Sequence, residues 1–202
     1  MSEPFRPLIL GIGGTPRPGS STERALSISL AAAAAEGART VLIGGPDLLL
    51  PIYTPGDGEG GSPDRQSLVD AFRRCDGLII ASPSYHGSLS RLVKNALDYT
   101  EDLRGDQRVY FDGVAVGLIV TAGGWQAAGQ TLTTLRGIVH ALRGWPTPLG
   151  AALNTSTRLF DEHGTCTDLS SRMQLETVGR QVVEFARMRR HLPAVEMAPA
   201  PI

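Results

Sequence analysis

The chain has 202 residues, 42% of them hydrophobic and 19% charged, with a formal net charge of -1. That length supports one sizeable core and is short for two. A balanced charge gives no basic field to draw the chain to nucleic acid or a membrane surface, and no apolar run approaches the roughly 20 residues of a membrane span.

Residues Met1–Pro7 run directly into an apolar segment, without the long apolar core or cleavage site of a signal peptide. The two cysteines, Cys75 and Cys166, form neither a CxxC pair nor a Cys/His cluster with zinc spacing. The expectation is a cytoplasmic protein without a metal site, in which a disulfide between them is disfavoured.

Leu8–Gly13 is a short continuous apolar run ended by glycine, the pattern of a strand buried on both faces. Turn chemistry follows in Gly14–Thr22, then Ala/Leu-rich Glu23–Glu36 predicts a helix stopped by Gly37. Arg39–Gly44 predicts a second buried strand. After it come Asp47–Tyr53 and the Gly/Asp-rich Thr54–Gly61, which cannot bury surface and predicts a mobile loop. Ser62 is placed to N-cap a helix that starts at Pro63 and reaches Arg74. Gly77–Ser82 predicts the third buried strand. Ser88 to about Asp102 carries apolar residues at helical spacing, at Leu89, Leu92, Val93, Ala96 and Leu97.

Val114–Thr121 predicts a fourth strand and Gln126–Leu142 a fourth helix. Trp145–Leu149, interrupted by Pro146 and Pro148, predicts a weak edge strand. Ser170–Arg190 predicts a long last helix, and from Pro193 on the Pro/Ala-rich tail predicts fraying. Strands alternating with helices call for a mostly parallel sheet in a three-layer doubly wound sandwich. Residues 1–192 are expected to form one domain and 193–202 its tail.

In an open parallel sheet, ligands bind outside the carboxyl ends of the strands. Three strands end there in unusual segments: Gly13–Thr22, Pro83–Ser88 and Thr121–Gly129. The first opens a helix, so its free N–H groups and positive dipole end face any bound anion. Thr15, Ser20 and Thr22 add hydroxyls, and Arg17 adds a planar fork suited to phosphate. Helix capping by Ser20 or Ser21 would need only one of these hydroxyls. No Walker lysine is present, and Gly11-Ile12-Gly13-Gly14-Thr15-Pro16 places proline where a dinucleotide fingerprint needs its third glycine.

In the second segment, Pro83 and Gly87 bracket Tyr85 and His86. Its backbone can hydrogen-bond a heteroaromatic ring. Tyr85 or His86 can stack on that ring, His86 being otherwise a surface imidazole. In the third, Gly123 and Gly124 let a planar ligand approach the backbone. Trp125 either covers that ligand or fills a subunit interface.

These segments resemble the NAD(P)H-dependent FMN reductases of the flavodoxin-like superfamily. The family's G-S-x-R-x-G-S phosphate loop is matched by Gly14-Thr15-Pro16-Arg17-Pro18-Gly19-Ser20. Its T/S-P-x-Y-x-G-S segment is matched by Ser82–Ser88, and its K-N-x-x-D helix by Lys94-Asn95-Ala96-Leu97-Asp98. Asp47–Tyr53 looks like the family's loop before the second helix. The resemblance spans roughly residues 8 to 150, with two departures. Thr15 replaces the usual serine but keeps a hydroxyl, and His86 stands where asparagine is frequent.

The resemblance implies a flavodoxin-like, five-stranded parallel sheet of order 2-1-3-4-5 that binds FMN. It implies that Thr15, Arg17, Ser20, Ser21 and Thr22 hold the phosphate. Pro83, Ser84, Tyr85, His86, Gly87 and Ser88 would contact the isoalloxazine, with Thr121, Gly123 and Gly124 on its other flank. It further implies a homodimer or homotetramer. NADPH or NADH would deliver hydride, and a small-molecule acceptor (a quinone, azo compound, free flavin or nitroaromatic) would take two electrons in the same place. No catalytic side chain is expected, because the cofactor carries the chemistry. Arg65, Arg91 and Arg104 are candidates for meeting the 2′-phosphate of NADPH. Two other readings on the same scaffold are a flavodoxin-type electron carrier and a specialised flavin-dependent biosynthetic enzyme. Nineteen basic residues against twenty acidic ones lack the acidic face that such a carrier presents.

Overall fold

In the central strands successive side chains point to opposite faces, so each strand feeds two apolar layers. In the computed structural model, which describes residues 5–55 and 63–192, these strands are β1 (Leu8–Gly13), β3 (Gly77–Tyr85) and β5 (Ala115–Ala122). Ile9, Ile79, Ala81 and Ile119 face one layer, with α1 (Ser21–Ala35) and α5 (Leu169–His191). Leu10, Ile12, Leu78, Ile80, Val116, Leu118 and Val120 face the other. That layer is closed by α2 (Pro63–Arg74), α3 (Arg91–Asp98) and α4 (Trp125–Ala141). Gly77 and Gly117 bring α5 close to the sheet: a methyl at either would lie 2.5–2.6 Å from a Val182 or Val178 side chain.

The sheet runs β2 (Arg39–Ile43), β1, β3, β5, all parallel. Its fifth position is shared by β6 (Trp145–Pro146), beside the start of β5, and β7 (Ala151–Asn154), beside its end. This is the expected order 2-1-3-4-5, with the last place in two pieces. A short strand, β4 (Ser88–Leu89), pairs antiparallel with the end of β3.

Four expectations change. β2 is an edge strand whose residues 39–42 are exposed, not a buried strand, because only β1 flanks it. The third strand continues through Pro83-Ser84-Tyr85 and turns back tightly at His86-Gly87, so the expected loop is a hairpin. Ser88 and Leu89 therefore belong to β4, and the helix begins at Arg91 behind the N-cap Ser90. It ends at Asp98, with a 3₁₀ turn over Tyr99–Leu103. The fifth strand is not Trp145–Leu149. It breaks after Pro146, which cannot donate to a ladder, and resumes to Asn154.

The readings of Gly56–Gly61 as a mobile loop, Ser62 as an N-cap and the stretch from Pro193 on as a frayed tail lie outside the described residues. Cys75 and Cys166 are both buried, free thiols. Burial pushes the Cys75 thiol up to about 11, so it packs as a neutral apolar group near neutral pH.

At the end of β1, Gly13 adopts φ 141°, and a Cβ there would sit 2.0 Å from the Ala81 carbonyl oxygen. Gly13→Ala is expected to cost about 3 kcal/mol or more, from positive-φ strain and overpacking together. Urea unfolding measures this, and a loss under about 1 kcal/mol would contradict the contact.

Candidate functional site

The switch point of this sheet lies between β1 and β3, where the chain turns outward to β2 on one side and to β3 and β5 on the other. A cavity of about 500 Å³ opens there, at the carboxyl ends of β1, β3 and β5. Its wall contains Thr15, Arg17, Ser20, Ser21 and Thr22 from the first loop and α1. Pro83, Ser84 and Tyr85 come from β3, and Thr121 and Gly123 from the end of β5. Ten of the fourteen expected site residues therefore meet at one cavity. His86, Gly87, Ser88 and Gly124 are not in its wall.

The first loop is fixed by its own backbone. Thr15 Oγ1 accepts from the Arg17 N–H at 3.3 Å and donates to the Arg17 carbonyl at 3.2 Å, closing a local turn. Gly45, just after β2, lies against it: a Cβ there would come within 1.9 Å of the Thr15 carbonyl oxygen. Ser20 is the N-cap of α1, its Oγ accepting from Glu23 N–H at 3.3 Å. Arg24 N–H bonds the Ser20 carbonyl. The Ser21 and Thr22 N–H groups have no protein acceptor among the described residues, so they remain donors for an anion. Arg17 is exposed, and its guanidinium likewise has no partner among them.

Two expected hydroxyls do different work. Thr22 Oγ1 lies 2.6 Å from Thr121 Oγ1 in a buried pair that ties the start of α1 to the end of β5. Ser84 Oγ donates to the Ala127 carbonyl at 3.2 Å and lies 2.7 Å from Thr131 Oγ1, tying the end of β3 to α4. Ser82 Oγ accepts the Ser90 N–H at 3.0 Å and fixes the return of the hairpin.

His86 and Gly87 both have positive φ, 54° and 80°, as a two-residue hairpin turn of this hand requires. Histidine and asparagine are among the few side chains enriched in that region, which gives the His86 position a conformational rationale. At Gly123 and Gly124 an added methyl would meet nothing within 4 Å, so the space beside them is open.

Glu23 stands three residues after the N-cap, in the register of a capping box. Its carboxylate does not close that box: Oε2 is buried with no hydrogen-bond partner. The Glu23 Cβ lies 3.5 Å from where a Gly14 methyl would be, so the residue packs beside the start of the first loop.

Sequence reasoning missed Thr155, which lines the cavity from just beyond β7 and donates to the Ala122 carbonyl through both N–H and Oγ1, at 2.7 and 3.1 Å. The signal was the run Asn154-Thr155-Ser156-Thr157 after apolar Ala151–Leu153, hidden by ending the fifth strand at Leu149. Pro16 and Ala122 also line the wall.

Arg65 is withdrawn as a phosphate-recognition candidate. It is buried, bonds both carboxylate oxygens of Asp102 at 2.9–3.1 Å, and lies over the Tyr53 and Tyr99 rings at 5.8 and 5.3 Å. Two segments quoted for the resemblance meet here as well. Asn95 accepts the Tyr53 N–H at 2.8 Å and donates to the Pro51 carbonyl at 2.8 Å. The Asn of the K-N-x-x-D helix thus holds the loop after β2.

Comparison with known proteins agrees with this geometry. FMN-dependent NADPH-azoreductases of Staphylococcus aureus are 39% identical over 122 residues, which is 59% of this chain and 61% of theirs. The match therefore spans less than two thirds of those relatives. The flavoenzyme NAD(P)H:(acceptor) oxidoreductase FerB from Paracoccus denitrificans superposes with TM-score 0.73 at 17% identity, covering 91% of this chain and 98% of that one. A flavodoxin, WrbA-like protein from Agrobacterium tumefaciens superposes with TM-score 0.60 at 17% identity, covering 90% and 98%. At such identities the superpositions establish a shared flavodoxin-like fold. The model of the NADPH-dependent FMN reductases matches residues 7–157, about three quarters of the chain. The chain belongs to the NADPH-dependent FMN reductase family.

Proposed function

We propose that the protein is an FMN-dependent oxidoreductase that takes hydride from NADPH or NADH and passes two electrons to a small-molecule acceptor. The observation that carries this reading is one cavity joining the unpartnered N–H groups of α1 to the ends of β3 and β5.

The residues present suit FMN. Ser21 and Thr22 offer backbone donors and Arg17 a free guanidinium for the phosphate, while Tyr85, Pro83 and the open side at Gly123 and Gly124 suit a flat ring system. We assign the phosphate to Thr15, Arg17, Ser20, Ser21 and Thr22. The ring is assigned to Pro83, Ser84, Tyr85 and Gly87 on one flank and to Thr121, Gly123 and Gly124 on the other, with His86 and Ser88 shaping the hairpin. Bound FMN supplies the capacity to accept and return a hydride equivalent. The chain's own part is alignment and exclusion. The Thr22–Thr121 pair ties the start of α1 to the end of β5 and the Ser84–Thr131 pair ties the end of β3 to α4, which fixes the walls of the cavity.

Among the described residues no helix is long and apolar enough to cross a membrane. We infer a cytoplasmic homodimer or homotetramer built on one domain over residues 1–192. The buried free thiols support the cytoplasmic part of that reading, and the family resemblance supports the oligomeric part.

Anaerobic stopped-flow of the FMN-loaded protein, followed near 450 nm, tests the assignment. Rapid bleaching by NADPH or NADH is expected. Bleaching by neither would transfer the protein to electron carriage or to specialised flavin chemistry.

Arg17→Ala is expected to weaken FMN binding by about 1–3 kcal/mol, the scale of a hydrogen bond to a charged group. Titration of the apoprotein measures it, and an unchanged affinity removes Arg17 from the phosphate site. Glu23→Gln is expected to act in the opposite direction. A carboxylate in the first turn occupies the same favourable dipole as the phosphate, worth about 0.3–1 kcal/mol. The same titration should show FMN binding two- to fivefold tighter, and weaker binding would mean that Glu23 supports the loop.

A further inference from the structure

The chain has two tryptophans, and their settings differ. Trp145 stands on β6 at the amino end of the sheet and leans on Phe185, ring centroids 5.6 Å apart. Trp125 is the first residue of α4, directly after Gly124, and is 65% exposed without an aromatic partner among the described residues. Its backbone is anchored, because Ser84 at the end of β3 bonds the Ala127 carbonyl in that first turn of α4 and the Thr131 hydroxyl in the next.

The surroundings of Trp125 point to a ligand. Gly123 lines the cavity and, with Gly124, has open space beside it. Tyr85 lines the same cavity from β3 and is 54% exposed. Pro83 and Thr121 are paired neighbours, so Tyr85, at the end of β3, and Gly123, just past β5, each stand two residues beyond that pair. The cavity wall thus carries an exposed phenol ring at Tyr85, and an exposed indole follows directly on its open glycine edge, outside the wall itself. Indole is electron-rich and stacks best on flat, electron-poor rings.

We propose that Trp125 is the specificity residue for the electron acceptor, stacking on planar, electron-poor aromatic acceptors at the mouth of the cavity, beside the flavin ring that Gly123 and Gly124 flank. This rests on the oxidoreductase reading above and adds to it a chain-specific acceptor wall supplied in cis. Acceptors without a flat ring gain nothing from it.

The test uses the FMN-loaded protein with 1,4-naphthoquinone as the planar probe and ferricyanide as the acceptor without a ring. Calorimetry without any reductant measures naphthoquinone binding, and steady-state assays with NADPH or NADH give KM for each acceptor. Trp125→Ala should raise the naphthoquinone dissociation constant and KM about tenfold, and at least fivefold more than the KM of ferricyanide. Trp125→Phe should recover most of that loss, and Trp145→Ala should leave both values unchanged. Equal changes for both acceptors, or unchanged naphthoquinone binding, would overturn the proposal. A changed sedimentation coefficient of Trp125→Ala would also overturn it, by making Trp125 a contact with a second copy of the chain. Flavin bleaching by NADPH or NADH in every variant would leave the oxidoreductase reading standing in those cases. Its absence in the unsubstituted protein would remove that reading first.

Discussion

At the end of β1 the backbone of Gly13 passes so close to the Ala81 carbonyl that no side chain fits between them. The Gly14 N–H bonds the same carbonyl at 3.3 Å, so the phosphate-facing loop starts from a fixed point on β3. Everything at the cavity depends on this approach. From that point the loop has only six residues, Thr15–Ser20, before α1 begins, so the start of α1 cannot stray from the strand ends. The buried Thr22–Thr121 pair then ties that start to β5. A parallel sheet aligns the carboxyl ends of its strands, but only contacts of this kind bring one helix start and three strand ends to bear on one ligand.

Sequence periodicity located the central strands because their neighbours bury both faces, leaving near-continuous apolar runs such as Leu8–Ile12 and Leu78–Ala81. The same logic misread β2. Its Thr-Val-Leu-Ile run is as apolar as a central strand, yet its position at the sheet edge leaves Val41 43% exposed. Burial there is decided by sheet order, which is a tertiary fact. The fifth strand failed for a local reason. Pro146 and Pro148 interrupt it, and its larger contribution to the site, Thr155, lies past the interruption.

The expected site residues divide along a similar line. Residues at the strand ends and the start of α1 were legible, because glycines and hydroxyls at those places have few other reasons to cluster. His86 is a candidate for its ring and Ser88 through the resemblance, and in the structure His86 forms a two-residue turn that Ser88 flanks. Arg65 was named for its charge and its loop position. Its actual partners, Asp102, Tyr53 and Tyr99, lie 12 to 37 positions away and bear no local pattern.

The two halves of the cavity are built to different standards. On the phosphate side three hydroxyls are fixed, Thr15 by its own turn, Ser20 by the cap and Thr22 by Thr121, around N–H groups and an Arg17 guanidinium left for the anion. The carboxylate of Glu23 in the first turn of α1 differs in sign, with one buried acidic oxygen left unpaired. On the ring side the floor is bare backbone and the nearby aromatic groups, Tyr85 and Trp125, are largely exposed. A rigid anion clamp holds one constant group in one place, and such a site loses affinity steeply when a partner is removed. A flat, open wall recognises shape and ring electronics, which many molecules share. A cofactor held by the first half and partners exchanged at the second is the division of labour these contacts can sustain.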